Sequence, residues 1–299
     1  MPSNSAGCRG SHNDTFRVKQ RHIPGDIHKK TCLHKTTTVL FFRYNDAFRV
    51  IFMDKNTDKL LVSKSNHLIE AGYKLTLNEQ RLILTAISKL DGRKPFPKDN
   101  EFIITAQEFS NAFDIPIKQA YENLENSSSR LYERDIKTYD KSNHCRERFR
   151  WVDGVKYWDK EGKVSLSFSN RITPYLTLLH TQLTSYNLNQ ISKLNSSYAI
   201  RFFELLIQFK STQNRWISLE TLKERLEIPE NYSRFYDLKR RIIDPSIKNI
   251  NETTNLFISW EVVKKGRIIV GLKFNITEKE KSQNHRCPRT LDMVSLMGE

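Results

Sequence analysis

Two stretches of the chain repeat one pattern: ITAQEFSNAFDIP from Ile104 to Pro116, and ISLETLKERLEIP from Ile217 to Pro229. A constant offset (217 − 104 = 113) pairs Ile104 with Ile217, Thr105 with Ser218, Phe109 with Leu222, Phe113 with Leu226, Ile115 with Ile228 and Pro116 with Pro229. Each copy opens on a hydroxyl residue suited to cap a helix. Each continues with apolar residues four apart, on one helical face. Each stops at Ile-Pro, because proline disfavours helix in the residue before it. A short helix, a turn and a second helix is the skeleton of a helix-turn-helix unit. A further helix pattern and a strand-turn-strand pattern follow each copy. The spacing therefore predicts an α+β chain of two tandem winged-helix domains, each a helix-turn-helix with a β-hairpin wing, related by internal duplication.

The chain has 299 residues, 38% of them hydrophobic, enough for two ordinary cores. Its formal charge of +15 favours a polyanionic partner, and the duplicated helix-turn-helix pattern makes double-stranded DNA the expected one. The best apolar run, Val39 to Phe42, is bounded by Arg43 and is far too short to span a bilayer, so no membrane partner is expected. The N-terminus lacks a basic start, an apolar stretch and a small-residue cleavage site in that order. Cys8, Cys32, Cys145 and Cys287 form no C-x-x-C pair, which fits a reducing cytoplasm and argues against a zinc ribbon or disulfide scaffold. Cys8, His12, Cys32 and His34 match no zinc spacing, so neither metal nor cofactor is expected.

Residues 1–52 read as a basic, disordered or weakly ordered tail, with nine Lys and Arg against three Asp (9 − 3 = +6). Met53 opens the patterned region and is a candidate native start. Residues 53–180 form the expected first winged-helix domain. In it, Leu75, Leu82, Ile83, Ala86, Ile87 and Leu90 recur at helical spacing behind a Thr76–Glu79 capping box. The second helix of the first copy is expected from Ile117 to Ile136. The wing is expected from RFRWVDGVKYW and KVSLSFS around a turn ending in Gly162. Residues 181–278 form the expected second domain. Its opening helix buries Tyr198, Phe202, Leu205, Leu206 and Phe209, and its wing runs LFISWEVV, Lys264-Lys265-Gly266-Arg267, IIVGLKFNI. Residues 279–299 are an expected polar C-terminal tail.

On a helical wheel, Ser233 to Ile250 puts Phe235, Leu238, Ile242 and Ile250 on one side. Arg234, Arg241 and Lys248 recur every seven residues on the other, with Arg240 beside them. Pro245 is expected to kink or interrupt the helix. Arg234, Arg240 and Arg241 are the expected base contacts, because a guanidinium can donate two hydrogen bonds to guanine O6 and N7. Lys239 is expected to pack its stem and free its amine at the edge. Lys239, Lys248 and the wing residues Lys264, Lys265 and Arg267 are expected at phosphates, where a point charge suffices. Asp237 and Asp244 could equally pair with these cations, leaving them as solvated charges. The first copy presents Glu122 and Glu133 among its polar residues, which oppose close approach to phosphate. A division of labour is expected. The second domain supplies sequence-specific contact, and the first supplies protein–protein contact and weaker backbone contact through Lys118, Arg130 and Arg134.

LVSKSNHLIEAGYKLTLNEQRLILTAIS (Leu61 to Ser88), ISKLNSSYAIRFFELL (Ile191 to Leu206), LKRRIIDPSIKNINETT (Leu238 to Thr254) and KKGRIIVGLKFNI resemble, in order, the iteron-binding replication initiators of bacterial plasmids. The resemblance covers roughly Leu60 to Thr277 and leaves out residues 1–52. It implies a protein that binds direct repeats (iterons) at a plasmid origin, helps open the adjacent AT-rich DNA and recruits the host initiator and replicative helicase. It also implies a monomer–dimer equilibrium, in which a dimer joined through the first winged helix binds an operator inverted repeat and represses its own gene. By motif position the family's base-contacting arginines would be Arg234 and Arg240. A dedicated repressor without a replication role is the alternative. A DNA-cutting enzyme is disfavoured, because no His-x-His occurs among the eight histidines. A helicase is disfavoured too, since position 157 before Gly162-Lys163 is tyrosine rather than the glycine of a phosphate loop. No catalytic residue is expected.

Overall fold

The computed structural model describes residues 60–140, 144–232 and 234–279, and the backbone of three strands before them. The chain divides into two units, Met1–Lys59 and Leu60–Glu299. In the first, β1 (Cys32–His34), β2 (Thr37–Tyr44) and β3 (Ala47–Asp54) form an antiparallel meander, with Cys32 opposite Val39 and Tyr44 opposite Ala47. Over these residues the expected weakly ordered tail gives way to strands. TTVLFFRY and AFRVIFMD are rich in the β-branched and aromatic residues that suit a pleated backbone. The rest of residues 1–52 and the tail from 280 lie outside the described residues.

The second unit opens with β4 (Leu61–Ser65), α1 (Asn66–Glu70) and α2 (Leu77–Ser88). Thr76 caps α2 as its sequence predicts: its Oγ1 accepts from the Glu79 amide at 3.3 Å, and the Glu79 carboxylate accepts from the Thr76 amide at 2.9 Å. Next come β5 (Phe102–Thr105), α3 (Ala106–Phe113) and α4 (Ile117–Leu131). The helix expected to reach Ile136 stops at Leu131. Ile136 instead lies buried in β6 (Asp135–Asp140), opposite Phe149 of β7 (Cys145–Arg150). The wing follows as β8 (Val152–Trp158) and β9 (Lys163–Phe168).

β10 (Leu183–Asn187) returns to pair with β4, Tyr186 opposite Val62, so the chain does not part at residue 180. Then come α5 (Ser197–Ile207), β11 (Asn214–Ser218), α6 (Leu219–Arg225), α7 (Phe235–Leu238), a π turn over Lys239–Ile243, α8 (Asp244–Thr253), β12 (Leu256–Lys265) and β13 (Ile268–Glu278).

The duplication extends beyond the motif. The two three-stranded sheets have orders β5-β9-β8 and β11-β13-β12, the same arrangement twice. Thr105 accepts from the Glu108 amide at 3.1 Å and Ser218 from the Thr221 amide at 3.0 Å. Each first helix ends on a left-handed residue, Asp114 (φ 51°) and Glu227 (φ 47°). The next amide reaches back to an equivalent carbonyl: Ile115 to Ser110 at 3.2 Å, Ile228 to Lys223 at 3.0 Å. Phe109 and Phe113 in the first copy, and Leu222 and Leu226 in the second, are buried at matching positions.

Where the two copies meet, α5 carries a buried polar cluster. Glu204, fully buried, receives the Lys64 ammonium, the Tyr186 hydroxyl at 2.6 Å and the Tyr73 hydroxyl at 3.1 Å. Arg201 stacks 3.7 Å over the Tyr73 ring and donates to the carbonyls of Ala71 (2.8 Å) and Arg225 (3.1 Å). Arg215 of β11 donates from one nitrogen, Nη2, to both carboxylate oxygens of Glu70 in α1, at 2.8 and 3.0 Å. Charges so deeply buried persist only when paired and hydrogen-bonded. The Arg201–Arg225 and Arg215–Glu70 contacts tie the segment around α1 and α5 to the second copy.

Candidate nucleic-acid interface

The second helix of the second copy spans α7, the π turn and α8 as one rod. Its core stripe begins at Leu238 and Ile242, then steps by one residue to Ile243, Ser246, Ile247 and Ile250, all buried. The step is the π turn, one residue too many in a turn of helix. It also answers Pro245. Proline has no amide to donate, and here it occupies the first turn of α8, where that amide has no required partner. The expected interruption is thus absorbed as a π turn within a continuous rod. The shift breaks the seven-residue line from Arg234 through Arg241 to Lys248, because Lys248 lies beyond it.

Arg234 occupies the N-cap position of α7 and is exposed, as are Arg240 and Arg241. Among the described residues none of the three has an acidic partner; the ion pairs of this helix are those of Lys239 and Lys248. The Lys239 side chain is about half exposed, but its amine, expected free at the edge, lies 5.6 Å over the Trp260 ring and 4.0 Å from Asp244. Lys248 pairs with Glu252 at 3.8 Å. Tyr236, two residues after Arg234, is 65% exposed, and a wheel that sorts residues only into apolar and polar does not single it out.

The wing turn stands beside this helix. Lys264, Lys265 and Arg267 are exposed, and Gly266 adopts φ 63° with open space around it. A register shift between Val263 and Lys264 twists the hairpin just before its tip. Trp260, Val262 and Ile269 line the groove between wing and helix with Phe235 and Lys239. Helix and wing together present exposed cations: Arg234, Arg240 and Arg241 on the helix, and Lys264, Lys265 and Arg267 on the wing turn.

The first copy differs. Lys118 and Arg130 are exposed on α4. Arg134 is not a free cation: its guanidinium forks onto Glu79 at 2.9 and 3.0 Å, and Glu79 is fully buried in the cap of α2. An expected phosphate contact is therefore spent on holding the end of α4 against α2. The pairing is invisible in sequence, because 55 residues separate the partners (134 − 79). Among the described residues no helix is long and apolar enough to cross a membrane.

Residues 61–207 match the family described as "Initiator Replication protein, WH1", and residues 218–276 match "Initiator Rep protein, WH2". The chain is 28% identical over 226 residues to a replication initiation protein of Escherichia coli, covering 73% of this chain and 70% of that protein. It is 24% identical over 264 residues to a PI protein of Escherichia coli, covering 77% of this chain and 86% of that protein. It is 27% identical over 242 residues to an uncharacterized 27.6 kDa protein of the same organism, covering 99% of that protein. In structure it resembles the Pi initiator protein crystallised in complex with iteron DNA, with a TM-score of 0.65 and 23% identity, over 75% of this chain and 99% of that one.

Proposed function

The chain belongs to the initiator replication protein family and carries its WH1 and WH2 domains in order, and on that premise we propose how it acts as a plasmid replication initiator. It binds iterons at the origin of the plasmid that encodes it, promotes opening of the adjacent DNA and recruits the host initiator and replicative helicase. One observation carries the DNA-binding reading: Arg240 and Arg241, exposed and without acidic partners among the described residues, on a helix flanked by the basic turn Lys264-Lys265-Gly266-Arg267. A guanidinium that meets no carboxylate among the described residues is available to a guanine edge.

The roles divide along the chain. The helix from Arg234 to Thr253 enters the major groove, with Arg234, Arg240 and Arg241 at base edges. Lys239, Lys248, Lys264, Lys265 and Arg267 lie against phosphates. Lys118 and Arg130 of the first domain add backbone contact, and that domain also joins two copies into a dimer that represses its own gene. Arg134 has no place in this set, since it is held by Glu79. The protein works in the cytoplasm, with no catalytic step of its own.

The experiment is a plasmid that carries only the cognate origin, with the chain supplied in trans, alongside footprinting on that origin. Replication with protection of the direct repeats is the expected result. Protection of an operator without replication would reduce the protein to a repressor.

A further inference from the structure

The β6–β7 ribbon carries an unassigned cationic face. In an antiparallel pair, directly opposed residues lie on one side. Ile136 and Phe149 face each other and are buried, so their neighbours face out: Asp135 opposite Arg150, Lys137 opposite Arg148 and Tyr139 opposite Arg146. That face holds four cations and one carboxylate (4 − 1 = +3). Tyr139 is 49% exposed at its end.

The face is partly compensated, and the compensation is instructive. Arg148 pairs with Asp135, Arg150 lies 4.5 Å over the Tyr132 ring and 3.5 Å from Glu133, and Lys137 reaches Glu227 at 2.8 Å. Arg146 has no acidic partner among the described residues. A solitary edge strand is often charged simply to prevent pairing with other chains, and among the described residues β7 pairs only with β6. That need does not explain Lys137 set directly against Arg148, because like charges opposed across a ribbon destabilise it. A local rule broken in this way marks a functional surface.

We propose that the outer face of the β6–β7 ribbon, with Lys137 and Arg148 at its centre and Arg146 at its end, is a phosphodiester-binding surface. It would hold the backbone of duplex DNA beyond the segment read by the helix from Arg234. Side chains two apart on a strand repeat every ~6.8 Å, a row suited to successive points along one DNA strand. This rests on the reading of the protein as a DNA-binding initiator. It gives the first domain a strand-borne contact in addition to Lys118 and Arg130.

The test compares the full chain with Arg146→Ala/Arg148→Ala on two duplexes of equal length, one with the direct repeats of the encoding plasmid and one of random sequence, across a salt series. Losing two phosphate contacts should flatten the plot of log K against log salt by about 1.8 on both duplexes. The preference for the repeats should persist, which a misfolded variant would lose; a modest fall in melting temperature is expected, because Arg148→Ala leaves Asp135 without its partner. An unchanged salt slope overturns the proposal, as does a change in sedimentation behaviour without a change in slope, which would make the ribbon a contact between copies. If the unaltered chain showed no preference for the repeats, the initiator reading itself would fail, an outcome separate from either ribbon result.

Discussion

Arg240 has bulk solvent on its outer side and Leu238 and Ile242 holding its helix from beneath. Truncating it removes a fork without disturbing the core. Arg240→Ala should cost about 1–3 kcal/mol on the cognate repeat and little on random duplex. Equal losses on the two in a titration at fixed salt would take Arg240 out of the base-reading role. Glu204 is the opposite kind of residue, buried and answering two cations. Burial alone would raise its carboxyl, but Lys64, Arg201 and the hydroxyl of Tyr186 outweigh that and leave it below its ordinary value. Burial likewise pushes the Tyr73 and Tyr186 hydroxyls well up, so they stay neutral donors. A depressed carboxylate stabilises the fold above the unfolded group's titration range, and that contribution is lost as pH falls through and below it. Glu204→Gln should therefore destabilise by about 3–5 kcal/mol near neutral pH, since it leaves Lys64 and Arg201 without their carboxylate. It should also melt with a shallower dependence on acid pH than the parent protein. Parallel melting curves down to acid pH would show that Glu204 titrates as an ordinary surface carboxylate.

At the level of elements, what was legible in the sequence is what local rules encode. The caps at Thr76, Thr105 and Ser218, the stops at Pro116 and Pro229, and both wings are in place because capping, proline sterics and turn glycines act within a few residues. The shared left-handed residues Asp114 and Glu227 complete the repeat at the same offset. What was not legible depends on distant partners. β6 exists because Ile136 finds Phe149, and its charged strand-mate CRERFR has no apolar alternation to announce it. The π turn depends on two successive buried residues, Ile242 and Ile243, which a fixed wheel cannot place together. The glycines of the two wings offer a matched test. Gly162 has φ 55°, and a Cβ there would fall 1.6 Å from the Tyr121 ring; Gly266 has φ 63° with nothing nearby. Alanine at either position strains the backbone by roughly 1–3 kcal/mol, but only Gly162→Ala must also displace Tyr121. Gly162→Ala should thus lower the denaturant midpoint clearly more than Gly266→Ala. Equal shifts would mean that Tyr121 moves aside freely.

At the scale of the molecule, charge and cohesion answer different questions. The +15 of the whole chain governs how strongly it is drawn to any duplex. Lys265→Ala should accordingly weaken cognate and random DNA alike and reduce the salt slope by about 0.9. A loss confined to the cognate repeat would move Lys265 from phosphate to base. Cohesion comes from the seam. Glu70 of the first copy accepts on both oxygens from the Nη2 of Arg215 and is paired with Arg225, while Arg201 donates to carbonyls from both sides. The buried apolar residues of both copies also form one continuous cluster, from Val62 to Ile276. Two domains that share a core and buried charges lose both when either opens, so residues 60–279 should unfold in one cooperative transition, with calorimetric and van't Hoff enthalpies equal. Glu70→Gln leaves Arg215, almost fully buried, with no carboxylate, and weakens the coupling without touching either domain's own core. The full chain carrying it should show a van't Hoff enthalpy below the calorimetric one, or two resolved transitions. If a single transition of unchanged width survived the substitution, the shared apolar cluster alone would be enough to make the two copies unfold as one, and the ion pairs at the seam would have to be assigned to fixing the domains' relative orientation instead.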